Sequence, residues 1–152
     1  MLNAKDIMST QVITFTPDTE IVAAARVLLE KRINGAPVVE GDRLVGILSQ
    51  TDLVAQQKSL TMPTLFTLLD GFIPLRSYDK LDEEMRKISA MTVGEAMTAK
   101  PVTVRPETSI TDIAQIMVEK KIHTLPVVEG DKLVGVIGKE DVLRTLLDSG
   151  GR

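Results

Sequence analysis

The chain has 152 residues, of which 43% are hydrophobic, 26% charged and only 3% aromatic, with a net charge of −3. It is long enough to bury roughly two-thirds of the surface its unfolded form exposes, and its core must be aliphatic. The absence of cysteine excludes disulfides, thiolate catalysis and Cys-ligated zinc, and the scattered Lys and Arg form no stripe that would suit nucleic acid.

Lys5, Asp6, Asp18 and Glu20 interrupt the first thirty residues, so no signal peptide is expected. No run approaches the ~20 apolar residues of a membrane span, and a cysteine-free chain fits a reducing cytoplasm. From the N-terminus, Val12-Ile13-Thr14-Phe15 reads as a short strand. Pro17 and its polar neighbours then open a helix whose Ile21, Ala24, Ala25, Leu28 and Leu29 recur on one face. Pro37-Val38-Val39 and Arg43-Leu44-Val45-Gly46-Ile47-Leu48 read as two strands joined by a tight turn at Glu40-Gly41-Asp42. A second helix starts at about Ser49. The unit is therefore β-α-β-β-α.

The stretch that follows, about 56–92, breaks this rhythm. Residues 62–78 are apolar and punctuated by Pro63, Gly71 and Pro74. Residues 79–91 carry Leu81, Met85 and Ile88 at the spacing of an amphipathic helix. Leu65, Phe66, Leu69, Phe72 and Ile73 form either a connector packed over its neighbours, the favoured reading, or a surface for a partner protein within 62–75. Asp79, Asp82, Glu83 and Glu84 read as a solvated helix face and not as an acid/base pair.

The first unit then recurs. PVVEGDRLVG at 37–46 returns as PVVEGDKLVG at 126–135, an offset of 89. The same offset relates Met8 to Met97, Pro17 to Pro106, Gly46 to Gly135 and Asp52 to Asp141. In the second copy Val102-Thr103-Val104 is the strand. Ser109 precedes a helix with Ile110, Ile113, Ala114, Met117 and Val118 on one face. Two copies of one unit are expected to bury their apolar faces against each other.

The ends of the two hairpins carry the candidate chemistry. Ser49-Gln50-Thr51-Asp52 and Gly138-Lys139-Glu140-Asp141 each place a small residue at a strand end and an Asp in the first turn of a helix. An ionised carboxylate only accepts hydrogen bonds, so it can take both hydroxyls of a ribose. A helix N-terminus suits a phosphate. These features point to a nucleotide with phosphate near Ser49 and ribose on Asp52. The competing reading is a helix capping box, which Ser-x-x-Asp also resembles. Gly138 has no side chain to cap with, yet Asp141 is retained, which argues for a role of the Asp itself.

The order Met-Ser/Thr, Thr-x-x-Pro, helix, Pro-Val-Val-x-x-x-x-Leu-Val-Gly-Ile-x-Ser-x-x-Asp resembles a cystathionine-β-synthase-type (CBS) domain. Two in tandem resemble a CBS pair, or Bateman module, over about residues 1–55 and 93–150, with 56–92 as a helical insert outside the resemblance. It implies an α+β fold in which two β-α-β-β-α units pack around a pseudo-two-fold axis. It also implies two clefts that bind adenosine derivatives such as AMP, ADP, ATP or S-adenosylmethionine.

Carried onto this sequence, one cleft would use Ser49, Thr51 and Asp52 against Val102, Thr103, Ile122 and His123. The other would use Gly138, Lys139 and Asp141 against Ile13, Thr14, Ile33 and Asn34. Gly138 departs from the family's Ser or Thr, and Lys139 is a substitute phosphate contact. His123 reads as a phosphate or adenine neighbour, with Lys121 or Arg32 adding charge, or as an exposed loop histidine. No catalytic residue, metal site or required cofactor is expected. The resulting expectation is a non-enzymatic, cytoplasmic, homodimeric sensor of an adenine nucleotide, free of nucleic acid and membrane. The alternative is a ligand-free dimerisation module acting on a partner protein.

Overall fold

A computed structural model describes residues 2–56 and 91–150. Its elements are α1 (Ala4–Ile7), α2 (Ile21–Glu30), β1 (Gly35–Glu40), β2 (Arg43–Ser49) and α3 (Gln50–Gln56), then α4 (Val93–Ala96), β3 (Thr98–Ala99), α5 (Ile110–Lys120), β4 (Thr124–Glu129), β5 (Lys132–Gly138) and α6 (Lys139–Gly150). The apolar segment 62–75, with Leu65, Phe66, Leu69, Phe72 and Ile73, and the helix expected over 79–91 lie outside the described residues, apart from Met91.

The repeated phrase builds two matching hairpins. Glu40 pairs with Arg43 and Glu129 with Lys132, leaving two-residue turns. Gly41 (φ +64°) and Gly130 (φ +62°) take the left-handed backbone that such turns require at their first position. The hairpins join tip to tip. Arg43 pairs antiparallel with Lys132, and the Leu44 and Leu133 N–H groups donate to the Asp131 and Asp42 carbonyls at 2.9 Å. The sheet runs β1-β2-β5-β4, with β3 added against β2. The one position at which the two phrases differ thus faces its own equivalent across the seam.

The strand expected at the start of each unit is reduced to a single parallel bridge, Phe15 to Val38 and Val104 to Val127. Phe15 N–H donates to the Pro37 carbonyl at 3.0 Å and its carbonyl accepts from Val39 N–H at 2.8 Å. The next rungs in either direction would need N–H groups at residues 17 and 37, and both are proline. Pro106 and Pro126 cut the second ladder in the same way.

The core is shared reciprocally. Phe15, Ile21, Ala24, Leu28, Val38 and Leu48 pack with Val93 and Ala96 from α4. Val104, Ile113, Met117, Leu125, Val127 and Ile137 pack with Ala4, Ile7 and Met8 from the N-terminus. Backbone bonds fix the exchange. Ala4 and Lys5 donate to Thr108 and Pro106, while Val93 and Gly94 donate to Thr19 and Pro17. β3 likewise pairs with Gly46 and Ile47, and Ser9 with Val136. The segment that precedes each repeat in sequence therefore completes the core and sheet of the other.

Helix α5 begins where the sequence indicates. The Ser109 side chain accepts the Asp112 N–H at 3.2 Å as N-cap. The buried stripes are narrower than the periodicity suggests. Ile21, Ala24 and Leu28 are buried, as are Ile113 and Met117, but Leu29 is 70% and Val118 77% exposed. One residue beyond Leu28 turns about 100° around the helix, which carries Leu29 off the core face.

Candidate functional site

Each hairpin ends by turning directly into a helix, and the turn is held by the Asp. In the first copy Asp52 Oδ2 accepts Ser49 N–H at 2.9 Å and Ser49 Oγ accepts Asp52 N–H at 3.1 Å. This is a complete capping box. Asp52 Oδ1 accepts the Thr98 hydroxyl at 3.2 Å, a bond spanning 46 residues that ties β3 to α3. In the second copy Asp141 Oδ2 accepts Gly138 N–H at 2.7 Å. Half the box survives without a side chain at residue 138, so helix capping by itself accounts for Asp141. The inference from sequence that the missing hydroxyl pointed beyond capping does not hold. Asp141 Oδ1 pairs with Arg144 Nη1 at 2.7 Å.

The capping role leaves chemistry available at Asp52. An ionised carboxylate offers about four lone-pair positions, and Asp52 uses two. Ser49 Oγ is an acceptor in its bond to Asp52, so its own O–H is a donor for a ligand.

Around Ser49 and Asp52 opens a cleft of about 510 Å³. Thr51 lines it from α3, and Thr98, Pro101 and Val102 line it from β3 and the segment after it. Lys121, Ile122 and His123 line it from the turn before β4. Lys100 and Lys121 both adopt φ +54°, a left-handed conformation costing about 1–2 kcal/mol in a non-glycine residue. Each directly precedes a wall residue, Pro101 or Ile122. Lys121 is the left-handed C-cap of α5, and its repeat equivalent Arg32 takes φ +55° directly before Ile33.

The second cleft, about 410 Å³, is related to the first by the repeat. Gly138, Glu140, Asp141 and Arg144 line it from β5 and α6, Met8 and Ser9 from the N-terminus, and Ile13, Ile33 and Asn34 from the first copy. Asn34 and His123, equivalent positions of the two repeats, line both clefts. Their carbonyls accept the first helical N–H groups of α3 and α6, Asn34 from Gln50 at 2.9 Å and His123 from Lys139 at 3.0 Å.

Of the residues singled out from sequence, Ser49, Thr51, Asp52, Val102, Ile122 and His123 meet in one cleft. Gly138, Asp141, Ile13, Ile33 and Asn34 meet in the other. Thr14, Thr103 and Lys139 line neither. Successive side chains of an extended segment point to opposite sides, so Ile13 and Val102 face the clefts and the threonines after them do not. Thr103 instead borders a shallow groove with Arg105 and Asp112. Glu140 and Arg144 carry no motif that singles them out. Thr98 belongs to the Met-Ser/Thr motif, but its place at the first cleft becomes visible only once β3 is known to pair with β2.

Among known protein families, the CBS domain matches residues 4–58 and 93–148. The chain is 30% identical over 154 residues to the uncharacterised protein MJ1426 of Methanocaldococcus jannaschii, covering 94% of this chain and 90% of that one. It is 33% identical over 137 residues to the chloroplastic CBS domain-containing protein CBSX2 of Arabidopsis thaliana. That alignment covers 86% of this chain and 57% of CBSX2, so the chain spans little more than half the length of that relative. The crystal structure of CBSX2 in complex with AMP superposes with a TM-score of 0.75 at 27% identity, covering 99% of both chains. The CBS domain pair of MJ0100, in complex with 5′-methylthioadenosine and S-adenosylmethionine, superposes with a TM-score of 0.70 at 25% identity, covering 100% of this chain and 99% of that one.

Proposed function

Since the chain belongs to the CBS domain family and carries the domain twice, we propose that it is a non-enzymatic sensor of an adenosine-containing ligand, AMP, ADP or ATP, held between its two repeats. What carries the reading is the cleft at Ser49 and Asp52. It has a carboxylate with spare acceptor capacity, a donor hydroxyl and one cationic side chain, Lys121, within about 510 Å³. That volume falls within the roughly 300–1,000 Å³ of small-molecule sites. The AMP complex of CBSX2, alike in fold over nearly the whole chain, supports an adenine nucleotide as the ligand.

In this reading Asp52 accepts the ribose hydroxyls beside Thr98, and Ser49 donates to the phosphate while Lys121 balances its charge. The adenine lies against Val102 and Ile122. Such a ligand touches β2 and α3 of one repeat and the turn before β4 of the other, so occupancy stiffens the junction of the two. Ser49 Oγ is bonded to the backbone of Asp52 and not to His123, which favours binding over nucleophilic catalysis. The cysteine-free composition supports a cytoplasmic setting.

A homodimer is part of the proposal. Leu29 and Val118 on α2 and α5 are equivalent positions, as are Val54 and Leu143 on α3 and α6, and all four are more than half exposed. Apolar side chains repeated on matching outer helices are what a symmetric interface needs.

The test is thermal unfolding with AMP, ADP, ATP and S-adenosylmethionine. A ligand at about 100 times its Kd stabilises the fold by ~2.7 kcal/mol, a rise of several degrees in a chain of this size. A flat response to all four contradicts the reading.

A further inference from the structure

We propose that the cleft at Asp141 selects adenosyl ligands whose 5′ substituent is neutral or cationic, and that Glu140 sets this choice. The inference rests on the reading above, carried from Asp52 to its repeat equivalent Asp141, with the ribose on the Asp and the 5′ group pointing toward the preceding strand end. At that strand end the two clefts share the Asp but differ at three neighbouring positions. Ser49 is replaced by Gly138, neutral Thr51 by Glu140, and Ala55 by Arg144. Lys121 lines the first cleft, whereas its equivalent Arg32 is absent from the lining of the second.

A β-carbon built on Gly138 would stand 3.5 Å from Glu140 Oε2. The carboxylate of Glu140 thus lies beside the ground that the Ser49 side chain holds in the other cleft. Arg144 is the one arginine or lysine lining this cleft. Its Nη1 is 2.7 Å from Asp141 Oδ1, so its charge is matched by the Asp that would hold the ribose. Glu140 has no ion-pair partner among the described residues. A 5′-phosphate placed here meets an unmatched negative charge at close range. In a solvent-like dielectric at low salt, that repulsion weakens binding about fivefold. A protonated amine or sulfonium at the same place is attracted.

The experiment is calorimetric titration of the full chain carrying Asp52→Ala, which weakens the first cleft roughly tenfold or more, with adenosine, AMP and 5′-amino-5′-deoxyadenosine. Asp52→Asn, which keeps an acceptor for Ser49 N–H, serves if the alanine variant fails to fold. At low salt, adenosine is expected to bind about fivefold more tightly than AMP, and the amine more tightly than adenosine. Adding Glu140→Gln is expected to remove this order. AMP binding as tightly as adenosine, or an order that survives Glu140→Gln, overturns the proposal. If the unsubstituted chain takes AMP but the Asp52 variants take none of the three compounds, this inference falls and the first cleft's function stands. If the unsubstituted chain takes none either, both fall.

Discussion

The sulfur of Met97 lies 2.5 Å from the point where a β-carbon on Gly46 would stand, and Met8 bears the same relation to Gly135. The glycine that closes each repeated phrase is therefore a point of contact between repeats. A bare backbone there lets the segment before one repeat lie against the hairpin of the other. Gly46→Ala would also meet the Thr98 carbonyl at 2.9 Å. The expected loss is about 1–3 kcal/mol, typical of overpacking, read as a lower denaturant midpoint. Shortening the thioether with Met97→Ala should recover only part of it, because the carbonyl cannot move aside. Full recovery would contradict the close approach.

Reciprocal cores predict a lopsided response to truncation. Deleting residues 1–9 removes Ala4, Ile7 and Met8 from the cluster around Leu125, Val127 and Ile137, while the cluster around Leu48 keeps Val93 and Ala96. Amide exchange should accelerate in β4 and β5 far more than in β1 and β2. Faster exchange confined to β1 and β2 would mean that each segment serves its own repeat.

The two helix caps should respond unequally to substitution. Ser49→Ala removes a formed cap and should cost about 0.5–2 kcal/mol. Gly138→Ser has room, with no contact to the new β-carbon closer than 3.5 Å. Since glycine is only slightly inferior at such positions, the gain should be a few tenths of a kcal/mol. Thermal unfolding of the two variants checks both signs.

The outer helices predict the assembly. Light scattering should give the mass of two chains for the unsubstituted protein and of one chain for Leu29→Glu combined with Val118→Glu, both residues being largely exposed. An unsubstituted protein that is already monomeric would remove the dimer from the account.

Much of this was legible in the sequence because its causes are local. The turn glycines, the Ser109 cap and the Ser49–Asp52 box each depend on residues within a few positions of one another. The exchange of N-terminal segments was not legible, for a reason of symmetry. Residues 2–9 and 91–98 occupy equivalent repeat positions, so packing within a repeat and packing across repeats leave the same apolar pattern. The lost first strand could have been read from Pro17 and Pro37, whose missing donors flank the one bridge on either side, but only with the register to Val38 known. Arg144 could not, since one arginine in a helix carries no signal until its partner, Asp141, is placed 2.7 Å away.

The central claim is that Asp52 holds the ribose of a nucleotide between the repeats. Calorimetric titration of AMP into the unsubstituted chain and into Asp52→Ala, with circular dichroism to show that both are folded, tests it directly. A hydrogen bond to a charged group is worth about 1.5–3 kcal/mol, so affinity at this cleft should fall by roughly tenfold to a hundredfold. A folded Asp52→Ala chain that binds AMP as tightly as the unsubstituted one would contradict the claim.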